Sequence, residues 1–246
     1  LQAELPQEDI IYFGDTARLP YGTKSAETIT RFAAEDTGFL IERGVKLVVV
    51  ACHSASSVAL DELQRSCPVP VLGVIEPGTR ALVAATRTNR VAVIGTALTI
   101  AAGAYERAIR ALRGDVQVVA KATPLFVSLA EEGWLDNEVA ELTARRYLEG
   151  IAAGGVDSLL LGCTHFPLLS RVISRVLGDG VKVVDSSAET ARAVKELLNV
   201  RELTSGRSSR GRLQFFLSDL APSFETVGAR FLGTPLENVM RATVGE

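Results

Sequence analysis

Short runs of β-branched and aliphatic residues alternate with longer amphipathic runs along almost the whole chain. A run such as residues 46–52 is typical of a strand buried on both faces, and the run after it has the spacing of a helix. Strands that alternate with helices in this way predict parallel sheets covered by helices. The predicted fold class is therefore α/β.

The same alternation gives a set of predicted elements. The predicted strands are residues 10–13, 46–52, 69–75, 90–95, 116–120, 156–163, 181–185 and 213–217. The predicted helices are residues 26–43, 54–65, 97–112, 136–153, 166–177, 187–198 and 221–232. Ser54 is predicted as the N-cap of its helix because its hydroxyl can accept a bond from a free backbone N–H group.

A unit of apolar strand, cysteine and polar step occurs twice, at Cys52 and at Cys163, 111 residues apart. This weak duplication predicts two similar lobes, each a parallel sheet covered by helices, with an active site in the cleft between them. Residues 1–77 with 187–246 are predicted to form the first lobe, and residues 78–186 the second. The sequence opens on Leu1 rather than Met, which leaves room for a longer chain and a further N-terminal strand.

Composition and charge exclude several classes of function. The formal net charge is −3, which is not the basic footprint of a nucleic-acid-binding protein. No apolar run approaches the roughly 20 residues that span a bilayer, and no signal peptide is evident. We therefore expect no membrane partner and no direct nucleic-acid binding. Three cysteines form an odd and sparse set, which favours a reducing compartment, the cytoplasm.

Cys52 and Cys163 each end an apolar run, at the edge of the sheet where open α/β folds place their ligand sites. Each also precedes a predicted helix, whose N-terminus favours a thiolate. Either cysteine alone is better explained as a small buried apolar residue that ends a strand. Because their contexts match, we favour two thiols that face one substrate, an arrangement suited to a base on one face of a carbon and an acid on the other.

The other residues that could take part in catalysis or bind a metal are the two histidines and the third cysteine. His53 and His165 are the only histidines, and the cysteines are not closely paired, so zinc is a poor fit and no metal is predicted. His165 lies two residues after Cys163 at a strand end, so we favour a functional role for it, although a structural hydrogen-bonded histidine is the alternative. Cys67 has no such context and is predicted to be structural. A disulfide between Cys52 and Cys163 stays open at this point.

Several short motifs follow one another in a fixed order along the chain. They are Gly14-Asp-Thr-Ala-Arg-Leu-Pro-Tyr-Gly22, Ala51-Cys-His-Ser-Ala-Ser56, Gly73-Val-Ile-Glu-Pro-Gly78, Ile94-Gly-Thr96, Pro124-Leu-Phe-Val127, Glu131-Glu-Gly133 and Leu161-Gly-Cys-Thr-His-Phe-Pro-Leu168. Together they resemble the glutamate racemase family, within the aspartate/glutamate racemase superfamily. The last motif is the most specific, and the order of the whole set strengthens the resemblance.

The resemblance implies interconversion of L- and D-glutamate without a cofactor, with D-glutamate supplying bacterial peptidoglycan synthesis. Cys52 and Cys163 would move the α-proton, His165 would help to activate Cys163, and Glu131 would orient His165. The implied substrate-binding residues are Tyr21, Gly22, His53, Ser54, Thr96 and Thr164. A homodimer is also implied, as is, in some relatives, an interaction with DNA gyrase.

Some of these residues have an ordinary structural role as an alternative. Without the resemblance, Glu131 is a solvated helix charge, Tyr21 a turn aromatic and Thr96 a helix N-cap. The chain also departs from the family pattern: Cys52-His53-Ser54 stands where the family has Cys-Asn-Thr, and no Asp-Ser-Gly segment precedes Ile10. These departures motivate a second hypothesis, a catalytically impaired binding or regulatory homologue. A racemase for a related amino acid such as aspartate, or for a hydantoin, is the third hypothesis.

Overall fold

A four-stranded parallel sheet forms the centre of the second lobe. The computed structural model describes residues 1–220, 222–236 and 238–245 of the chain. The strands of this sheet are β4 (Arg90–Gly95), β5 (Gln117–Ala122), β6 (Ser158–Gly162) and β7 (Lys182–Val184), in the order β5-β4-β6-β7. β4 and β6 are central and almost entirely buried, because helices cover both faces of the sheet. Their uninterrupted apolar runs follow from this position.

The helices of this lobe form two layers. They are α4 (Ile75–Ala85), α5 (Ala97–Ala101), α6 (Ala104–Leu112), α7 (Leu125–Glu132), α8 (Glu138–Leu148) and α9 (Ser170–Leu177). Leu82 of α4 and Ile109 of α6 pack with Leu160 on one face. Phe126 of α7 and Ile173 of α9 belong to the core on the other face.

The first lobe differs from the second in that its strands form two sheets rather than one. β1 (Ile10–Gly14), β8 (Leu213–Leu217) and β9 (Val239–Arg241) make one parallel sheet, and β2 (Val48–Val50) and β3 (Val71–Gly73) make another. The helices are α1 (Ala26–Ile41), α2 (His53–Val58), α3 (Leu60–Ser66), α10 (Ser187–Val200) and α11 (Pro222–Leu232). The predicted parallel α/β architecture is confirmed. The predicted lobe boundaries stay a prediction, and α4 begins at Ile75, just before the boundary at residue 78.

Several predicted helices are broken or shifted. The predicted helix 97–112 is split into α5 and α6 at Gly103, whose φ of 63° ends one helix and starts the next. The predicted helix 54–65 is split into α2 and α3 at Ala59, and its N-cap is Cys52 rather than Ser54. In α2 the hydroxyl of Ser57 donates to the carbonyl oxygen of His53, a side-chain bond that competes with helix extension.

Other predicted helices differ at their ends. The predicted helix 136–153 ends at Leu148 and is followed by a short 3-10 turn, Ala152–Gly154. The predicted helix 221–232 is found as α11, with Ala221 outside the described residues. Helix α7 has no counterpart among the predicted elements. None of the helices in the described ranges is long and apolar enough to cross a membrane.

The two lobes meet where a 3-10 turn of the first, Tyr21–Thr23, packs against α5 of the second. The backbone of Gly22 is so close to Thr96 that a Cβ atom at Gly22 would lie 2.5 Å from the Thr96 Cβ. Glycine is therefore required here by close packing rather than by backbone conformation. This contact fixes the distance between the Tyr21–Gly22 loop and the carboxyl end of β4.

Replacing Gly22 with alanine tests this contact. We expect Gly22→Ala to lower the free energy of unfolding by about 1–3 kcal/mol, because the added methyl group overpacks the contact. Gly38→Ala in α1 is the matched control: a Cβ there meets nothing within 4 Å, and alanine should stabilise the helix by about 0.5–1 kcal/mol. Urea unfolding curves measure both. Equal stability of the two variants would contradict the close contact.

Candidate active site

The two matched cysteines lie where parallel strands end. Cys52 follows β2 and is the N-cap residue of α2, and Cys163 follows β6 directly. Cys163 is buried, at 6% exposure, whereas Cys52 is half-buried. Both are free thiols, as is Cys67. The disulfide that the sequence left open is thus not formed.

The protonation of Cys52 depends on its burial and on its neighbours. Burial raises the pKa of Cys52 to about 11, and negative charge on Cys163 adds to the rise, while the backbone N–H groups of Ala55 and Ser54 oppose it. The N–H groups at the start of α2 therefore favour a thiolate, as the sequence predicts, but burial outweighs them. Cys52 keeps its proton at neutral pH.

A chain of contacts runs from Cys163 through an imidazole to a carboxylate. The sulfur of Cys163 lies 3.8 Å from Nδ1 of His165, and Nε2 of His165 lies 2.5 Å from Oε1 of Glu131. The imidazole comes from the turn after β6 and the carboxylate from the last turn of α7. His165, which follows β6, thus contacts α7, a helix that the sequence did not predict.

These contacts favour the protonated, positively charged form of the His165 imidazole. Burial lowers the pKa of His165, but its hydrogen bonds to Cys163 and Glu131 outweigh burial and raise the pKa to about 9. The hydrogen bond from His165 lowers the pKa of Glu131, burial opposes this, and the charges of His165 and Arg230 add to the lowering. At neutral pH the imidazolium therefore donates one bond to the carboxylate and directs its other N–H group at the Cys163 sulfur.

Three hydroxyl groups form a closed cluster between the lobes. The Ser54 hydroxyl oxygen lies 2.9 Å from that of Thr96 and 3.1 Å from that of Thr99, and the two threonine oxygens are 3.0 Å apart. All three residues are buried. Thr96 is also the N-cap of α5 and accepts a bond from the Thr99 N–H group. The sequence gives no sign of Thr99, because only the packing of α2 on α5 brings it to Ser54.

His53 is buried and turned towards the second lobe. Its Nε2 atom lies 3.2 Å from the Ser186 hydroxyl, and its ring lies 6.3 Å from that of Tyr105 between centroids. Within the described part of the chain, its Nδ1 atom has no hydrogen-bond partner, nor has the Tyr105 hydroxyl. Burial lowers the pKa of His53 to about 3, so the imidazole is neutral and brings no positive charge to Cys52.

Tyr21 is held by carboxylates of its own lobe. Its hydroxyl donates to Asp15 and, at 3.0 Å, to Asp36, and Arg18 pairs with both carboxylates. Asp15 also accepts a bond from the Ser218 hydroxyl at 2.8 Å, so it braces its turn against the end of β8. Burial, then the charge of Asp15, raises the pKa of Asp36 to about 7. The side chain of Tyr21 therefore anchors the loop, and Gly22 follows it at the lobe contact.

Two more residues lie beside the thiols. Thr164 is exposed, and its hydroxyl oxygen lies 3.4 Å from Nδ1 of His165. Tyr12, on β1, is 41% exposed; desolvation, then the charges of Cys52 and Glu131, raises its pKa to about 12. The Tyr12 hydroxyl is thus close to groups from both lobes. It was not among the predicted site residues, because an aromatic residue in a strand is ordinarily part of a core.

Two grooves elsewhere on the surface are lined by none of Cys52, Cys163, His165 and Glu131. One is lined by α8 and α9 residues such as Leu142 and Val176, and another by residues between β3 and α10 such as Leu72 and Leu197. Among residues 1–220, 222–236 and 238–245, no three His, Cys, Asp or Glu side chains are grouped as a metal site. The groups near the lobe contact that can move a proton include the thiols of Cys52 and Cys163, the imidazole of His165 and the carboxylate of Glu131.

Comparison with known proteins decides the family. The model of the Asp/Glu/hydantoin racemase family matches residues 1–194. The chain belongs to that family. Within this racemase family, it is 55% identical to the glutamate racemase of Geobacter metallireducens over 240 residues, which are 98% of this chain and 89% of the relative. It is 43% identical to a glutamate racemase of Neisseria meningitidis, over all of this chain and 91% of the relative.

Solved structures of the racemase family share the architecture. The crystal structure of glutamate racemase from Francisella tularensis, in complex with D-glutamate, matches with a TM-score of 0.91 and 36% identity. It covers 98% of this chain and 90% of that chain. Glutamate racemase isoform RacE1 from Bacillus anthracis matches with a TM-score of 0.92 and 33% identity, covering 99% and 90%. The resemblance that the motifs carry is confirmed.

The protonation of the two histidines can be measured directly, because the chain holds no others. We expect NMR titration of the imidazole carbons, from about pH 5 to about pH 10, to show one histidine with a midpoint near 9 and one that stays neutral. In Glu131→Gln the first midpoint should fall, because the carboxylate that stabilises the imidazolium is lost. Two histidines that both titrate near their ordinary value would contradict the arrangement.

The buried His53 should also make the fold sensitive to acid. Its folded pKa is below the ordinary 6.5, so below that pH the unfolded chain binds a proton that the folded chain excludes, and stability falls as the pH falls towards 3. Between pH 6.5 and about pH 4.5 we expect a loss of about 2 kcal/mol from this group. Urea unfolding of His53→Asn, whose amide does not titrate, should lack this loss; parallel pH dependences would refute it.

Proposed function

We propose that this chain interconverts L- and D-glutamate by moving the α-proton between Cys52 and Cys163 without a cofactor. The observation that carries the proposal is the pair of thiols at matched strand ends, close enough that charge on one raises the pKa of the other. The high identity to glutamate racemases over nearly the whole chain supports glutamate as the substrate.

The two thiols differ in a way that suits opposite roles. The Cys163 sulfur lies beside the imidazolium of His165, with which it can exchange a proton, whereas Cys52 retains its proton. In the proposed reaction the Cys163 thiolate takes the α-proton from one face of the substrate, and the electron pair delocalises into the α-carboxylate. The Cys52 thiol then donates its proton to the opposite face. Cys52 ends as a thiolate and Cys163 as a thiol, ready for the opposite enantiomer.

Removing an α-proton requires close positioning and stabilisation of the negative charge that develops. Candidate donors to the substrate carboxylates are the backbone N–H groups at the start of α2, the hydroxyl of Thr164 and the backbone at Gly22. The hydroxyls of Ser54 and Thr96 bond to each other, so donating their protons to a substrate carboxylate instead would break a bond between the lobes. The Tyr12 hydroxyl is a further candidate donor, since it lies near Cys52 of the first lobe and Glu131 of the second.

His53 takes a different role from the family asparagine in this proposal. Its imidazole is neutral, buried and bonded to Ser186. His53 therefore ties the start of α2, where Cys52 is the N-cap residue, to the second lobe. The alternative of a catalytically impaired homologue was motivated partly by this residue, and the contact with Ser186 gives the histidine a structural reason. A racemase for aspartate or another related amino acid is separated from the proposal by a substrate panel in the same assay.

The wider setting follows from the same proposal. D-glutamate made by this chain would supply peptidoglycan synthesis, and the reaction would take place in the cytoplasm. A homodimer, and a contact with DNA gyrase of the kind known in some relatives, stay predictions from the resemblance. Each is independent of the chemistry at the cysteines.

Exchange of the α-proton tests the proposal. With L-glutamate in D₂O, we expect NMR to show loss of the α-proton signal and polarimetry to show decay of optical rotation. Cys52→Ala and Cys163→Ala should each lower the racemisation rate by about 10²–10⁴-fold, because each removes one of the two proton-transfer groups.

Cys67→Ala is the matched control, since Cys67 is a half-buried free thiol outside the site. It should racemise glutamate at the rate of the unaltered chain. No exchange by the unaltered chain would reject the proposed reaction. Full activity in either of the other two cysteine variants would reject the two-thiol mechanism while leaving the substrate assignment standing.

A further inference from the structure

Helix α11 of the first lobe reaches the end of α7 in the second lobe. The Nη1 atom of Arg230 lies 3.4 Å from the carbonyl oxygen of Ala130 and 3.5 Å from that of Glu131. These are among the last carbonyl groups of α7, which have no partner in the helix unless something beyond it donates to them. A side chain from one lobe thus binds the end of the helix that carries the Glu131 carboxylate in the other.

The end of α7 is shaped to receive this guanidinium. Gly133, just past the helix, has a φ of 76°, and the Gly133 and Trp134 N–H groups return to the carbonyl oxygens of Ala130 and Leu129. A Cβ atom at Gly133 would collide with Nη2 of Arg230. Glycine at this position therefore serves two purposes: it allows the left-handed turn, and it leaves the space that the guanidinium fills.

The positive charge of Arg230 complements the C-terminal end of α7 and the carboxylate of Glu131. The C-terminal end of a helix carries partial negative charge, so a cation there is favourable. Arg230 also acts on the Glu131 side chain and helps to lower its pKa. The groups that face Glu131 come from three elements: His165 after β6, Tyr12 on β1 and Arg230 on α11. Of these, Arg230 is the cation whose charge does not depend on pH near neutrality.

We propose that Arg230 is a positioning residue, which binds the end of α7 and fixes Glu131 against His165, and so holds the imidazole beside the Cys163 sulfur. The inference rests on the proposed function, and it assigns to α11 a part in the chemistry of the opposite lobe. Arg230 touches neither thiol, so it acts through Glu131.

Arg230→Gln tests the proposal in the full chain. We expect kcat to fall about two- to fivefold, the range for one exposed charge at a helix end, with little change in KM. The acid limb of the kcat profile should move to higher pH, because Glu131 loses a cation that favours its carboxylate form. Arg230→Lys keeps the charge and should keep the acid limb in place. High salt should shrink the difference between the glutamine variant and the unaltered chain.

Glu225→Gln, an exposed change on the same helix, is the control and should leave the profile unchanged. Trp134 is the only tryptophan and follows Gly133, so quenching of its fluorescence by acrylamide gives a readout that does not need activity. Quenching should increase in Arg230→Gln.

Two outcomes would overturn the inference. One is a profile and quenching identical to those of the unaltered chain, and the other is a fall in kcat without a shift of the acid limb. If the unaltered chain shows no α-deuteration, the proposed function fails instead, and the quenching still tests the contact. Circular dichroism verifies that each variant is folded, and Arg230→Lys keeps the test open if the glutamine variant is not.

Discussion

The contact between the lobes at Ser54, Thr96 and Thr99 is the constraint on which the site depends. It joins the helix after Cys52 to the helix after β4, and β4 is the neighbour of β6, the strand that Cys163 follows. Hydroxyls that satisfy one another can be buried at low cost, and the glycine beside them allows the backbones to approach closely. Each lobe by itself contributes one of the two candidate thiols, Cys52 from the first lobe and Cys163 from the second.

Each of the two thiols, Cys52 and Cys163, has a histidine nearby in sequence, but the two histidines differ in charge. Burial keeps His53 neutral, whereas hydrogen bonds to Cys163 and Glu131 keep His165 positive. The difference comes from partners: a serine hydroxyl for one imidazole and a carboxylate for the other. Environment rather than residue type decides which thiol lies beside a positive charge.

Much of the architecture can be predicted from the sequence, because buried parallel strands require continuous apolar runs. The strand 90–95 is found at its predicted bounds, and the two strands before Cys52 and Cys163 are found where the runs predict them, although shorter. The breaks at Ala59 and Gly103 were not predictable from periodicity, since the apolar spacing continues across them. Cys52, Cys163 and His165 were singled out by their positions at the ends of apolar runs, whereas the specific roles of these residues and of Glu131 came from the resemblance to the family.

What the sequence could not give are contacts between distant segments. Thr99, Tyr12 and Arg230 carry no local signal, because a threonine in a helix, a tyrosine in a strand and an arginine on an amphipathic helix are all ordinary. Their significance arises from what the tertiary fold places opposite them. For the same reason the orientation of His53 towards Ser186, 133 residues further along the chain, required the structure.

The unequal thiols carry a consequence for any racemisation that they perform. Mirror-image substrates have the same free energy in water, so the equilibrium constant is one and kcat/KM must be the same for both. In the proposed mechanism, the form of the enzyme that holds a proton on Cys52 and uses Cys163 as the base is ready for one enantiomer, whereas the other enantiomer needs these protons reversed. That imbalance cannot favour either direction at equilibrium; it is divided between turnover and apparent affinity, so the enantiomer that turns over faster must also have the larger Michaelis constant.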